Sequence, residues 1–363
     1  MSNLINYVRD NQNNIADSQF NEVDALVLSW LSYYNYVDYL NNKGLLIKEI
    51  AGERKLSDRE MYKDAFLPKK SSRLFKEIQK SSRFSSLELS SFCNVFDIDK
   101  IEQFSAITIK IKEDLFYISF RGTDPSFLGW EEDFRLAYLE STNSQKEGVS
   151  YLQREMDKYP KAEFILGGHS KGGNTAIYAG SNMSREDQKR IRQIYCFDGP
   201  GFPISFFESE GFLNIKDKIE KIIPPSSFVG ILFNNFYPYR IVKSNTFLFL
   251  QHNPFCFAIK NDGFVNRKKR TLFSRRSQFV MNGFVSSMTK EERKKYIDII
   301  FAALNKLKIN DFNSFFYSLP VQIFHLFRIY SKVEKNDRKF FDRKTRVLIS
   351  LFFKRQVKQK KEA

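Results

Sequence analysis

The spacing of hydrophobic positions changes character along this chain. From Asp24 to Leu40 (DALVLSWLSYYNYVDYL) apolar residues are dense and helically spaced. This predicts a buried, structural helix with Asn21 as its cap and Asp24 in its first turn. Leu45 to Asp99 is mixed, charged and Ser-rich, with short helical patterns such as Arg73 to Ser81 and no motif. The period then drops to two. Phe104 to Lys112 (FSAITIKIK) alternates, Glu113-Asp114 turns, and Leu115 to Phe120 returns, so a hairpin is expected. Gln145 to Tyr159 is amphipathic and stops before Pro160.

Glu163 begins a short apolar strand, and a helix follows over Thr175 to Met183. Ile191 to Phe197 reads as a strand ending at Asp198-Gly199-Pro200-Gly201, and Phe206 to Lys218 as a helix. Ile219 to Ile223, Arg240 to Lys243 and Thr246 to Leu250 read as short strands, with an apolar loop from Pro224 to Tyr239. Strands alternating with helices over residues 104–260 argue for a mostly parallel sheet covered on both faces. From Thr289 the pattern is only helical: Glu291 to Leu307, Leu319 to Val333 and Asn336 to Lys358. Three regions follow: residues 1–100, a helical region packing on the core; 101–285, the α/β core; and 286–363, a basic helical extension.

Composition adds a compartment and a sign of charge. Cys93, Cys196 and Cys256 are odd in number and widely spaced, so neither a disulfide framework nor a metal site is expected, and a reducing compartment is. Met1 to Ser18 is polar and Asn-rich, unlike a signal peptide. No run reaches the roughly 18 apolar residues of a membrane span. The expectation is a cytoplasmic protein, peripheral at most to the inner membrane face. The net charge is +16, and residues 335–363 hold 11 Lys and Arg against 3 Asp and Glu. A second cluster is Arg267-Lys268-Lys269-Arg270 with Arg275-Arg276. Such charge favours an anionic partner, and no nucleic-acid motif accompanies it.

The chemistry concentrates at Gly167-Gly168-His169-Ser170-Lys171-Gly172-Gly173-Asn174. Here G-x-S-x-G sits between a strand and a helix start, a turn that projects a serine hydroxyl above a sheet. The glycines permit the close approach of strand and helix, and the helix N-terminus aims its N–H groups, Lys171 first, at an oxyanion beside Ser170. A serine needs a base, and the base an orienting acid. Of three histidines, His169 lies inside the turn and reads as packing or local hydrogen bonding. His325 lies in an apolar helix. His252, in a loop past a predicted strand end, is the candidate base. In chain order the acid falls between serine and histidine. Asp198, at a strand end, is favoured, with Asp217 the alternative; Asp187, Glu208, Glu210 and Glu220 have helix-like, solvated contexts.

The blocks SFRGTD, GWEEDF and GGHSKGGN with a late histidine resemble the class 3, fungal-lipase type of α/β-hydrolase. More narrowly, the conjunction of FRGTD, GWxEDF, GHSKGGN, DGPG and QH is similar to an uncharacterised bacterial branch catalogued as a domain of unknown function. The resemblance covers roughly residues 20–310. It implies an α/β-hydrolase fold, an oxyanion donor at Thr123, and a lid region near Trp130 and Asp133. Two departures stand out: Lys171 puts a flexible cation after the nucleophile where lipases carry an apolar residue, and residues 216–225 (KDKIEKIIPP) lack the family's Asp-x-Val-Pro acid segment. Asp133 or Glu132 is expected to pair with Arg121.

The expected activity is hydrolysis of a hydrophobic acyl ester by Ser170, His252 and Asp198, with Thr123 and Lys171 N–H groups binding the oxyanion and no metal or organic cofactor. The competing reading is a catalytically silent hydrolase fold used as a binding module at an anionic membrane or protein surface. In the tail, Phe341, Leu348, Leu351 and Phe352 share one broad apolar side flanked by cations. That pattern suits either a helix lying on an anionic membrane or a helix whose apolar side packs on the hydrolase domain.

Overall fold

A computed structural model describes residues 2–40, 44–50, 57–62, 65 and 67–354. The part of the predicted tail helix beyond Lys354, with Arg355, lies outside the described residues. Among the described residues a nine-stranded sheet runs in chain order: β1 (Leu45–Leu46), β2 (Glu88–Asp97), β3 (Glu102–Lys112), β4 (Leu115–Phe120), β5 (Glu163–His169), β6 (Ile191–Phe197), β7 (Ile219–Ile223), β8 (Tyr239–Val242) and an edge strand, Asn266–Arg267. Strands β1 to β4 pair antiparallel, β4 to β8 parallel, and the edge strand antiparallel. This is the α/β-hydrolase architecture.

Parallel strands laid down in sequential order, joined by right-handed crossovers, put their helices on one face. That face holds Asn143–Lys158 and Lys171–Ser181, packed over Phe116, Ile118, Phe120, Phe164, Leu166 and Ile194. The opposite face presents Leu115, Tyr117, Ile165, Tyr195, Phe197 and Ile222, and the N-terminal helices cover it. Alternate residues of β4 thus enter two different cores, and all six are buried. The helix Glu22–Leu31 is the main cover. Asn21 and Asp24 form a reciprocal capping box at its start. Asp24 is buried and takes two hydrogen bonds from Arg83, at 2.7 and 2.5 Å, and one from Tyr7.

Several sequence expectations need correction. Residues 88–97 form a full sheet strand within the stretch read as mixed with short helical patterns, so the first hundred residues supply strands as well as helices. A helix over Leu272–Ser286 went unrecognised. Residues 206–218 are broken into two short helices and a 3-10 turn. Thr246–Leu250 is no strand: Leu248–His252 is a 3-10 turn, because the Gln251 side chain bonds back to the Thr246 carbonyl.

We number the helices used below α1 (Glu22–Leu31), α2 (Phe127–Arg135), α3 (Asn143–Lys158), α4 (Lys171–Ser181), α5 (Leu272–Ser286), α6 (Lys290–Leu304), α7 (Leu319–Tyr330) and α8 (Lys335–Phe353). The extension packs onto the core through α2. The Phe127 N–H donates to the Asn310 carbonyl and the Phe312 N–H to the Pro125 carbonyl, both at 2.9 Å, while Phe312 packs against Phe127 and Trp130. The apolar side of α8 is covered by protein. Phe341 stacks on Tyr296 at 4.6 Å, Leu348 and Leu351 join the cluster of Phe284 and Met288, and Lys344 pairs with Glu292. Of the two readings of that side, packing on the protein is the one seen: α5 and α6 occupy it, while Phe352 and Phe353 at its end are exposed. His325, on α7, is exposed.

Replacing Arg83 by Ala strands the Asp24 carboxylate in the core. Removing one partner of a buried pair costs about 3–5 kcal/mol. Urea denaturation of the variant should show that loss, with Asp24→Asn in the same background recovering part of it.

Candidate active site

The site lies where β4, β5 and β6 end at their carboxyl edges. At the end of β5 the chain turns at Ser170, whose φ of 58° and ψ of −130° are costly for any residue with a side chain. The turn closes because Gly168 and Gly172 lack Cβ atoms: one on Gly172 would collide with the Phe120 carbonyl, and one on Gly168 with Gly172 itself. The Ser170 N–H is held by the Phe197 carbonyl at 2.9 Å. Helix α4 then begins at Lys171.

Asp198 follows β6 directly, also at positive φ (51°), with its N–H on the Ile222 carbonyl at 2.8 Å. Its carboxylate is fully buried. Oδ1 accepts from Ser227 Oγ at 2.5 Å, and Oδ2 lies 2.7 Å from His252 Nδ1. With Nδ1–H donated to the carboxylate, His252 Nε2 is the free basic nitrogen. Asp217 is elsewhere: it is exposed on the 3-10 turn that precedes β7, at the opposite end of the parallel strands.

His252 is fixed through its backbone. The Gln251 side chain accepts from the Ser226 N–H at 2.6 Å and donates to the Thr246 carbonyl at 2.7 Å. His169 Nε2 donates to the His252 carbonyl at 2.8 Å, and His169 Nδ1 faces the Tyr33 hydroxyl at 3.3 Å. Burial, with His252 next to it, drives the His169 pKa well below the ordinary histidine value. His169 is thus a neutral strut. Ser170 and His252 share one cavity wall without a direct hydrogen bond; such contacts often tighten only with substrate.

Thr123 follows β4, with its hydroxyl donated to Asp133 Oδ2. Lys171 departs from the flexible cation expected of it. Its ammonium is buried under the turn and donates to the Gln103 carbonyl (2.7 Å), Gln103 Oε1 (3.0 Å) and Glu132 Oε2 (3.0 Å). Glu132 also accepts from the Gln103 N–H and from the Ser144 N–H and hydroxyl. The carboxylate partner of the core is therefore Lys171, where Arg121 was expected; Arg121 lies 4.0 Å from Asp124. Adjacent residues of α2 thus hold the two segments that carry the candidate oxyanion donors: Asp133 holds Thr123, and Glu132 holds Lys171.

Thr123, Ser170, Lys171 and His252 line a cavity of about 1040 Å³. Its remaining wall is largely apolar, from Phe228, Val229, Phe249, Met281, Phe284 and Val285. Trp30 and Tyr33 also line it, so α1 contributes to the cavity and is not solely structural. The packing and local hydrogen bonding expected of His169 are what it does, whereas sequence reasoning missed the Gln251 clamp, Ser227 and all of α5. The QH dipeptide was the one available signal for Gln251.

Two predictions follow from these contacts. Lys171→Met leaves Glu132 buried without its cation and should cost about 3–5 kcal/mol in denaturant, with Glu132→Gln added in the same chain restoring part. Burial, partly offset by Lys171, raises the Asp133 pKa to about 6 from 3.8. A raised carboxylate favours folding below its unfolded pKa and loses that advantage as pH climbs through the folded one. Stability measured against an Asp133→Asn control should therefore fall by up to about 3 kcal/mol between roughly pH 4 and 6. A flat difference across that window would refute the shift.

No curated protein matches the chain in sequence. Among solved structures it is similar to M37 lipase (19% identity over 60% of this chain and 71% of the lipase, TM-score 0.39). It is similar also to Lip2 lipase from Yarrowia lipolytica (15%, 54% and 78%, TM-score 0.34). A triacylglycerol lipase with a serine protease triad at its catalytic centre overlaps at 14% identity, 63% and 82% coverage and TM-score 0.40. Overlaps this loose carry no residue's role from one chain to the other. The family model is a firmer match, since it covers residues 78–302, more than half of the sequence: the chain belongs to the Mbeg1-like family.

Proposed function

We propose that this protein is a serine ester hydrolase acting on a carboxylic ester with a long apolar acyl group. The observation that carries the reading is the 2.7 Å contact between His252 Nδ1 and buried Asp198, in a histidine that lines the same cavity as Ser170. In this scheme Ser170 Oγ attacks the ester carbonyl while His252 Nε2 takes its proton. Asp198 keeps the imidazole in the required tautomer and stabilises the imidazolium. The oxyanion is met by the backbone N–H groups of Lys171 and Thr123. His252 then protonates the departing alcohol, and water, deprotonated by the same imidazole, releases the acid from Ser170.

The apolar wall supports the substrate class. A cavity of about 1040 Å³ lined by Phe228, Phe249, Met281 and Phe284 suits a hydrocarbon chain better than a charged or sugar-like group. The backbone donors make side-chain changes at Thr123 act through loop position, so Thr123→Ser, which keeps the hydroxyl on Asp133, should retain near-normal activity.

p-Nitrophenyl esters of increasing chain length test the reading. Wild type should hydrolyse them with kcat/KM rising with chain length, and Ser170→Ala should lose both turnover and labelling by a fluorophosphonate. Asp198→Asn should reduce kcat by roughly 10⁴-fold, as when an orienting carboxylate is neutralised elsewhere. A folded wild-type protein that neither turns over any ester nor takes the label would overturn the assignment.

A further inference from the structure

Beside the cavity mouth the surface breaks the usual rule for large apolar residues. Phe247, Leu248, Phe249 and Leu250 are 67, 44, 58 and 58% exposed, and Leu272 is 77% exposed. The loop that carries the first four runs directly into Gln251 and His252. It is held firmly: Gln251 bonds to Thr246 and Ser226, Ser226 Oγ meets Thr271 Oγ1 at 3.0 Å, and Phe249 packs edge-on against Phe228 and Phe273. Loop and first turn of α5 are therefore one surface, and Phe228, Phe249 and Leu250 continue it into the cavity lining.

The segment that carries Leu272 has one sign of charge. From Gly263 to Lys290 there are seven Lys and Arg and no Asp or Glu. Arg270 and Arg276 bond to Gln278 and to the Leu351 carbonyl. Arg267, Lys268, Lys269 and Arg275 are exposed.

We propose that this face docks on an anionic phospholipid bilayer, with Phe247, Leu248 and Leu272 in the acyl boundary and Lys268 and Lys269 among the head groups. Exposed rings beside a cluster of cations are what an anionic lipid interface selects. A bilayer is favoured over an acidic protein because the apolar side chains of the loop carry no hydrogen-bonding group, and because the patch passes without a break into an apolar cavity. The docking stands apart from the hydrolase reading, since it needs no chemistry at Ser170. It does not use the apolar side of α8, which is packed against α5 and α6.

Sedimentation of the full-length protein with phosphatidylcholine vesicles, with or without phosphatidylglycerol, tests it. Wild type should sediment only with phosphatidylglycerol-containing vesicles at low salt and be released at high salt. Reversing two cations with Lys268→Glu/Lys269→Glu should weaken binding by about tenfold or more, and Phe247→Ser/Leu248→Ser should abolish it. Neither pair lines the cavity, so circular dichroism and hydrolysis of a short soluble ester should match wild type and report any folding defect separately. Equal binding to neutral vesicles overturns the proposal. So does binding indifferent to both variants, or binding lost on Phe324→Ser/Phe327→Ser in α7, which would move the contact to the extension. Capture by polyglutamate with vesicles ignored would assign the face to an acidic polypeptide instead.

Discussion

A lysine ammonium and a glutamate carboxylate sealed from water 3.0 Å apart hold this site together. Desolvating two charges is expensive, and their attraction offsets it only where the remaining donors and acceptors are satisfied. Here they are: Lys171 has three acceptors and Glu132 has four donors. Those partners come from β3, α2, α3 and α4. The pair therefore fixes the helix behind Ser170 and, through the next residue on α2, the loop of Thr123. A single buried charge pair sets the relative position of two backbone segments that the chain brings together from far apart.

The candidate nucleophile was legible because its signal is local. Gly168 and Gly172 are required by backbone contacts within the turn and against Phe120, and such requirements show directly in sequence. The choice between Asp198 and Asp217 needed strand polarity: one follows β6 and the other precedes β7, a distinction that is weak when strands are only inferred. The side chain of Lys171 was misread because its environment is made by Glu132, 39 positions earlier. Strand β2 hid because its register shifts between Ser90 and Cys93, with Ser91 at φ 51°, so its alternation is interrupted. Helix α5 hid because it has two apolar sides: Met281 and Val285 face the cavity while Gly283 receives Leu351 of α8. Such a helix has no single stripe for a periodicity argument to find. The tail shows the converse. Its stripe was real, and sequence could not say whether protein or lipid covers it.

The bond pair between Pro125–Phe127 and Asn310–Phe312 has a consequence for biosynthesis. A ribosome delivers the N-terminal side first, at about 5–20 residues per second. Ser170, Asp198 and His252 have all been synthesised before the segment that braces the loop after Thr123. Contacts between such distant segments also form late, since loop closure must precede any gain from them. A chain halted before Asn310 would hold Ser170, Asp198 and His252 without the two backbone hydrogen bonds that brace the loop after Thr123. The extension is thereby tied to the backbone of the candidate site through the loop after Thr123.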